Sequence, residues 1–356
     1  MSRDTLSELL RAVRLRGAIF FYVNGVEPWV AEAPHAREIV GAILPGAEHM
    51  IEYHVVTRGA CWGGIVGEPP VRLNQGDVIM FPHGDAHVMS SEPGKRVSRM
   101  ERDIYFSPHP SQLPFVLTQK GEATIAATLD GAGERRTTIV CGFLGCDARP
   151  FNPLLAALPR MLHMPGAIAQ NEWMQSFIRV AVEEANHKRP GGEAVLERLS
   201  EMLFVDVVRR YLENLPAGDT GWLAGLRDRF VGRALALLHE RPSHAWTIDE
   251  LGDAVGLSRS ALHEHFAQLV GQPPMQYLAQ WRMQVASRML LETSMNVASI
   301  ALESGYESEA AFSRAFKRVV GVPPAMWRKQ RTGARDLDAS PGASRRVPKA
   351  RPPVDP

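Results

Sequence analysis

Two stretches near the C-terminal end of the chain repeat each other, and this duplication limits the possible folds more than any other feature. Residues 247–274 align with residues 296–324, and the second copy carries one extra residue in its turn. Each copy predicts a short helix that begins at a capping residue and ends at a glycine, then a second helix that begins at a serine. Two helices joined by a turn of three or four residues form a helix-turn-helix, whose second helix enters the major groove of DNA.

The second helix of each copy has an apolar and a polar face. Apolar residues recur at i, i+4 and i+7 and predict the face toward the core; they are Leu262, Phe266 and Leu269, then Phe312, Phe316 and Val319. The candidate DNA contacts lie at the other positions, namely Ser258, Arg259, Ser260 and His263 in the first copy and Ser308, Glu309, Ala310, Ser313, Arg314 and Lys317 in the second. Arginine suits guanine, an acid accepts from cytosine, and small side chains approach the thymine methyl. One such pattern is often an ordinary helical hairpin, but two tandem copies favour DNA binding.

The segment between the two copies predicts a single helix over residues 275–291, with Leu278, Trp281, Val285 and Met289 on one stripe. Seventeen residues at 1.5 Å each span about 26 Å. Together with the flanking units, a spacer of this length sets two recognition helices about one turn of DNA, ~34 Å, apart.

Short motifs in both copies identify a family. They are residues 254–260, Phe266 and residues 271–274 in the first half, and residues 300–301, 305–306, 312–317 and 321–324 in the second. On these motifs, residues 222–330 resemble the DNA-binding region of the AraC/XylS family of bacterial transcription regulators. The resemblance implies binding to double-stranded promoter DNA by both units and contact with RNA polymerase. Glu307 and Glu309 depart from the pattern, so base contact is less secure there than at Arg259 and His263.

The first part of the chain predicts an all-β sandwich or barrel. Short β-prone runs at residues 55–56, 71–73, 78–81 and 137–140 are separated by glycine and proline. Residues 93–133 are rich in turn formers and charge and predict long loops.

One motif in this part resembles a second family. Residues 76–87 have the form G-x5-P-x-G-x-x-H, which resembles the second motif of cupin barrels, whose histidine points inward and commonly binds metal. The first cupin motif has two histidines and a glutamate, whereas here His54 alone lies on the corresponding strand. The whole domain resembles the cupin-type sensor of one branch of AraC/XylS regulators.

Three side chains from different β segments are candidates for a metal site. His54, His87 and Cys141 are expected to converge in the barrel, and imidazole and thiolate suit zinc or copper(I). With no fourth ligand identified, the alternative is a coincidence of buried polar residues.

Two other interpretations of what the barrel senses are consistent with its residues. Cys141 and Cys146 form a candidate redox pair, since a thiolate near a histidine is oxidisable, or they are simply small buried hydrophobes. Alternatively, Tyr53, His54 and Trp62 hold a small organic effector.

A helical region follows the barrel. Leu196, Leu199, Leu203, Val207 and Tyr211 form the stripe of an amphipathic helix, which packs against the β domain or forms a homodimer interface. The expected organisation is a cupin-like sensor at 1–150, a helical connector at 151–214, a linker at 215–221, a tandem helix-turn-helix domain at 222–330 and a disordered tail at 331–356.

Charge and composition are consistent with this division. The 356 residues have a net charge of +1, which for the whole chain argues against a nucleic-acid binder, but the charge divides into −4 for 1–226, +2 for 227–330 and +3 for 331–356. No run of ~18–20 apolar residues predicts a membrane span, and three cysteines form no disulfide framework, so we expect a cytoplasmic protein.

The sequence thus predicts an α+β multidomain fold with an N-terminal cupin-like β-barrel, a helical connector and an all-α domain with two helix-turn-helix units. The predicted function is a sequence-specific transcription regulator, not an enzyme, whose barrel senses a small molecule, metal or oxidant. The alternative is a cupin-type metal-dependent enzyme with a DNA-binding appendage.

Overall fold

The structure is a computed structural model that describes residues 4–98, 115–126, 136–167, 172–187, 189–216 and 218–338. The strands are β1 (Arg16–Ala33), β2 (His49–Arg58), β3 (Ala60–Ile65), β4 (Val71–Asn74), β5 (Val78–Phe81), β6 (His87–Ser90), β7 (Phe115–Gly121), β8 (Ala123–Ala126), β9 (Arg136–Cys146) and β10 (Leu162–Met164). The helices are α1 (Thr5–Ala12), α2 (Ala36–Ile43), α3 (Pro153–Ala157), α4 (Glu172–His187), α5 (Gly192–Glu213), α6 (Trp222–Arg227), α7 (Arg229–Glu240), α8 (Ile248–Val255), α9 (Arg259–Val270), α10 (Pro274–Glu292), α11 (Val297–Glu303), α12 (Glu309–Val320) and α13 (Pro324–Asp338).

The strands form one curled sheet in the order β10-β5-β2-β9-β1-β6-β3-β4, with the β7–β8 hairpin added beside β1. All neighbours are antiparallel except β1 and β7. Strand β1 is long enough to pair with β9 through residues 16–26 and with β6 through residues 30–33, so it joins the two halves of the curl. This is the cupin-like half-barrel that the sequence predicts.

The predicted β runs lie within β2, β4, β5 and β9. The prediction of long loops at 93–133 is wrong for residues 115–126, which form β7 and β8. Residues 99–114 and 127–135 lie outside the described part of the chain. Residues 115–118, Phe-Val-Leu-Thr, are β-prone and form the start of β7 although turn formers lie on both sides of them.

The connector packs against the outer face of the sheet. Helix α5 lies on β1, and Gly17 permits this contact because a Cβ there would meet the backbone oxygen of Glu197 at 2.5 Å. Leu196, Leu203 and Val207 are fully buried. The apolar stripe of α5 therefore packs against the β domain, and it is not available as the homodimer interface that was its other interpretation.

Two helix-turn-helix units, α8–α9 and α11–α12, lie on either side of α10. The predicted caps form: the side chains of Thr247, Ser258, Asn296 and Ser308 each accept from a backbone N–H in the first turn of their helix. Gly256 closes α8 with φ +83°, a backbone conformation that favours glycine. The spacer helix is observed as α10, with nearly the predicted bounds.

The predicted disordered tail begins too early. Helix α13 runs through residue 331 to Asp338, and residues 339–356 lie outside the described part of the chain. No helix among the described residues is long and apolar enough to cross a membrane.

The hydrophobic core does not follow the predicted domain boundaries. One continuous cluster joins α1, the outer face of the sheet and the connector to the first helix-turn-helix unit; it includes Leu9, Tyr53, Phe204, Leu235 and Phe266. The inside of the half-barrel is a second cluster, and the second helix-turn-helix unit is a third, centred on Phe312, Phe316 and Trp327.

Candidate functional site

The first recognition helix presents its predicted DNA contacts to solvent. Ser258, Arg259, Ser260 and His263 are all exposed, while Leu262 and Phe266 on the opposite face are fully buried. The Ser258 hydroxyl accepts from the Ala261 N–H at 3.3 Å, so this serine also caps the helix.

Arg259 stands at the N-terminal end of α9, the end that contacts base edges in helix-turn-helix proteins. Its guanidinium lies 3.6 Å from a carboxylate oxygen of Asp249 on α8, and both side chains are about two-thirds exposed. An exposed pair at this separation is worth little, ~0–1 kcal/mol. Arg259 is therefore held loosely and is free to turn toward DNA.

The second recognition helix has a different charge pattern. Glu309, Ala310, Arg314 and Lys317 are exposed, and Ser308 is exposed and caps the helix through the Ala311 N–H. An acid thus occupies the first turn, where it stabilises the helix dipole, and cations lie toward the other end.

Two details of α12 differ from the predicted faces. Ser313 is half-buried beside the core face, so less of it is available to DNA. Val319 is 38% exposed, although its i+7 spacing predicted a core residue. It lies in the last turn, and the third core cluster is filled instead by Trp327 of α13.

Inside the half-barrel the structure contains a cavity of about 100 Å³. Its walls are mainly apolar and aromatic, including Phe21, Trp29 and Phe143, and its polar lining includes Glu52, His54, His87 and Cys141. The sheet positions these groups by alternation: on β2, Glu52 and His54 point into the half-barrel, whereas Ile51, Tyr53 and Val55 face the connector core.

The three predicted metal ligands meet in a hydrogen-bonded chain. His54 Nδ1 lies 3.0 Å from Cys141 Sγ, and His54 Nε2 lies 2.7 Å from His87 Nε2. His87 Nδ1 lies 2.9 Å from the backbone oxygen of Asp85.

The backbone carbonyl at one end of this series of hydrogen bonds determines which atom donates in each of them. The Asp85 carbonyl can only accept, so His87 donates from Nδ1 and its Nε2 accepts from His54 Nε2. The remaining nitrogen of His54 then accepts the thiol proton of Cys141. Burial favours these neutral forms: it lowers the pKa of His54, lowers the pKa of His87 to about 4 and raises the pKa of Cys141.

The hydrogen-bonded side chains of His54, His87 and Cys141 do not have the geometry of a metal site. His54 turns one nitrogen to Cys141 and the other to His87, so the three donors do not share a central point. Among the described residues, no group of three or more His, Cys, Asp or Glu side chains is arranged to hold a metal ion. Ligation would require a thiolate, which the raised pKa of Cys141 disfavours, and loss of the His54–His87 hydrogen bond.

The proposed redox pair fails on strand geometry. Cys141 and Cys146 are five residues apart on β9, so they point to opposite faces, and their Cα atoms lie about 17 Å apart at ~3.4 Å per residue. A disulfide needs Cα atoms within ~7 Å. Cys141 belongs to the inner cluster and Cys146 to the outer one, and both thiols are buried with raised pKa values.

The residues predicted to hold an organic effector are only partly in place. Tyr53 faces outward and hydrogen-bonds Ser200 of α5 at 2.7 Å, and Trp62 on β3 packs beside Arg72. Neither lines the cavity, whereas His54 does.

Glu52 is a buried polar residue of the cavity that the sequence analysis did not identify as a candidate. It is only 2% exposed, its Oε2 lies 3.9 Å from His87 Nε2, and its Oε1 has no hydrogen-bond partner among the described residues. Burial raises the pKa of this carboxyl well above its usual range. The alternation of β2 would have signalled it, because Glu52 lies two positions before His54.

Comparison with known proteins agrees with both halves of the chain. Residues 4–213 match the Cupin family model, and residues 251–330 match a helix-turn-helix domain model. A putative AraC-like transcription regulator of Streptomyces lividans is 33% identical over 292 residues, covering 82% of this chain and 90% of the relative. The HTH-type transcriptional regulator AlkR of Acinetobacter baylyi is 26% identical and covers 92% of this chain and 99% of its own.

Among solved structures, the DNA-binding domain of AdpA in complex with a target DNA aligns over 31% of this chain and 97% of that chain, with 25% identity and a TM-score of 0.29. The family prediction made from the motifs is confirmed by the two domain matches and the full-length relatives. The chain belongs to the AraC-type transcription regulators, with a cupin domain followed by a DNA-binding helix-turn-helix domain.

Proposed function

We propose that occupancy of the cupin cavity changes how this regulator binds its promoter, and that a small effector molecule is the occupant. The observation that carries the proposal is the continuous core between the sheet and the first helix-turn-helix unit. Within this cluster α1 packs against α7 and α3 packs against α6, so a change inside the half-barrel can reach the first helix-turn-helix unit through side chains that are in continuous contact.

A buried amide bridges the same boundary. Gln284 of α10 donates to the backbone oxygen of Ala12 at 2.8 Å and accepts from the backbone N–H of Phe151 at 3.1 Å. The spacer helix between the two recognition helices is thereby tied at one residue to the end of α1 in the sensor domain and to the start of the connector. Movement of either segment would alter the position of α10.

In this proposal Arg259 and His263 contact bases through the first unit, and Arg314 and Lys317 contact bases or phosphates through the second. All four are exposed, and the side chains of Ser258 and Ser308 cap the N-terminal ends of the two helices. The proposal includes RNA polymerase as a partner at the promoter.

The test uses the purified full-length chain and fluorescence anisotropy at physiological salt. A duplex from the gene's own upstream region is compared with a shuffled duplex of equal composition, with and without cavity ligands. We expect a preference of at least a thousandfold for the specific duplex, the lower range for specific binders. Equal affinity for both duplexes under all conditions would contradict the proposal.

A homodimer is also proposed, through the face of α5 that points away from the sheet. Val195 and Met202 are 43% and 51% exposed and lie seven residues, or two turns, apart on one side of this helix. Sedimentation equilibrium of the full chain should show a dimer that Met202→Glu converts to monomer. A monomer at all concentrations in the wild-type chain would contradict it.

The relatives are transcription regulators, in line with a protein that is not an enzyme. Metal analysis of the purified chain, with His54→Ala and His87→Ala as controls, tests the metal-sensor and metal-enzyme alternatives together. We expect no stoichiometric zinc or copper, and a metal retained by the wild type but lost from both variants would restore those alternatives.

A further inference from the structure

One carboxyl oxygen in the cavity lining has no hydrogen-bond partner among the described residues. Glu52 is 2% exposed and lines the cavity, and its Oε1 makes no hydrogen bond to any residue that the structure describes. Leaving a buried polar atom without a partner is costly, and such atoms commonly mark the place of a water, ion or ligand. A ligand that offers a hydrogen-bond donor at this point would satisfy the oxygen.

The neighbouring polar side chains are engaged with one another, except for the indole N–H of Trp29, which has no hydrogen-bond partner among the described residues and packs against Gly25 of the same strand. Both ring nitrogens of His54 and of His87 are used in the chain from Cys141 to Asp85. Gln119 donates to the backbone oxygen of Val30 and accepts from Thr124. The geometry therefore directs a polar ligand to Glu52 rather than to the histidines.

The acidic side chains around the cavity favour a basic ligand over an anionic one. Among the described residues that line it, the acidic side chains are Glu32, Glu52 and Glu122, and no lysine or arginine is present. Burial raises the pKa of Glu52, so its carboxyl group can give its proton to a basic amine and pair with the ammonium that forms, whereas a carboxylate ligand has no such partner. Arg96 pairs with Glu32 from outside the cavity, and Glu122 accepts hydrogen bonds from Ser98, so Glu52 is the carboxyl left without a partner inside.

The aromatic walls of the cavity also favour a cationic ligand. Phe21, Trp29 and Phe143 line the cavity, and the faces of aromatic rings attract cations. An anionic ligand would meet a carboxyl group and aromatic rings with no lysine or arginine among the described lining residues, whereas an amine would meet a hydrogen-bond acceptor. Both the charge and the walls therefore favour a nitrogen-bearing ligand over a carboxylate.

We propose that the cavity binds a small apolar amine whose nitrogen donates a hydrogen bond to Oε1 of Glu52. The proposal rests on the proposed function, since the cavity is the same sensor site. A cavity of ~150 Å³ holds benzene, so the 100 Å³ observed here suits an amine with a short, branched hydrocarbon part.

Three compounds of nearly equal shape test the proposal: isobutylamine, isobutanol and isobutyrate. Their binding to the full-length chain is measured by saturation-transfer NMR titration at constant pH and ionic strength. We expect isobutylamine to bind at least tenfold more tightly than isobutanol and isobutyrate to give no saturation. Equal or tighter binding of isobutanol or isobutyrate would overturn the proposal.

Two variants localise the binding. Glu52→Gln keeps the shape of the side chain but replaces the acceptor pair with an amide, and it should weaken isobutylamine binding at least tenfold. Glu27→Gln, at an exposed position of β1 outside the cavity, removes the same charge and should change binding less than twofold. Unchanged amine binding in a folded Glu52→Gln chain would overturn the proposal. If that variant does not fold, the ranking of the three compounds on the wild-type chain decides the matter.

The DNA assay separates this proposal from the broader one. A chain that prefers its own promoter but binds none of the amines retains the proposed regulatory function and refutes the amine ligand. A chain that binds isobutylamine at Glu52 without any preference for its promoter supports the ligand and refutes the regulatory function.

Discussion

At the scale of single residues, the two recognition helices differ most at their N-terminal ends. The first begins with Arg259 and the second with Glu309, both exposed. Because this end of a recognition helix meets base edges, the first unit is suited to guanine and the second to cytosine or to weaker contact. The two units should therefore contribute unequally to specificity.

Arg259→Ala tests this inequality. If Arg259 contacts a guanine bidentately, its loss should cost ~1–3 kcal/mol on the specific duplex and little on a shuffled one. Anisotropy titrations on both duplexes measure the difference. Arg198→Ala on α5 serves as the control, because it removes one exposed positive charge far from the recognition helices. An equal loss on both duplexes would make Arg259 a phosphate contact instead.

A second residue-scale prediction concerns pH. His239 is buried between Trp281 and Tyr277, and burial lowers its pKa from 6.5 to about 3. Protonation therefore favours the unfolded chain: the stability contributed by neutral His239 is complete above about pH 6.5 and is lost as the pH falls toward 3. His239→Gln should reduce the loss by up to ~1.4 kcal/mol per pH unit in this window.

Urea unfolding between pH 7.5 and 4 measures the effect, with exposed His263→Gln as the matched control. Parallel stability profiles for the wild type and His239→Gln would contradict the assignment.

At the scale of elements, the sequence predicts those features that depend on residues only a few positions apart. Each helix of the duplication is bounded by a side-chain cap or a glycine of positive φ, and these act within a few residues. Spacing along a strand is equally local: five residues is an odd number, so the period of two already separates Cys141 from Cys146.

Contacts between distant segments could not be predicted in the same way. Gln284 sits on a helix whose apolar stripe predicts burial, but nothing near it in sequence indicates partners at Ala12 and Phe151. The same holds for Glu52, because only the packed strands show that no lysine or arginine is among the described residues that line the cavity around it. Such features depend on how elements pack.

The bridge made by α10 gives an element-scale prediction. Gln284→Leu keeps the size of the side chain but leaves the Ala12 oxygen and the Phe151 N–H without partners, so the free energy of unfolding should fall by ~1–3 kcal/mol. Gln276→Leu, exposed on the same helix, is the control. Urea unfolding of both variants measures the difference, and equal stabilities would show that the bridge contributes nothing.

At the scale of the whole molecule, the distribution of core clusters predicts unequal cooperativity. Phe266 belongs to the cluster shared with the sensor domain, while Phe316 belongs to the separate cluster of the second unit, and both are fully buried. Removing either ring should cost ~3–5 kcal/mol, but the loss should spread differently through the chain.

Hydrogen exchange detects this difference. Phe316→Ala should raise exchange in α11 and α12 and leave α1 and α5 protected, whereas Phe266→Ala should raise exchange in α1 and α5 as well. A loss of protection confined to α8 and α9 in Phe266→Ala would contradict the shared core.

The shared core also limits how the sensor and DNA-binding domains of this regulator can be exchanged with those of others. The segment between α5 and α6 looks like the natural place to join one sensor to another DNA-binding domain, but a cut there divides a single core and would expose Trp222 and Leu235. Farther along, Arg331 of α13 pairs with Glu48 and lies 3.6 Å from Asp147, which also holds Arg14. Because α1 packs against α7, a new sensor in a functional chimera would have to bring a surface that matches α7 as α1 does here. The two domains of this chain are therefore matched to each other.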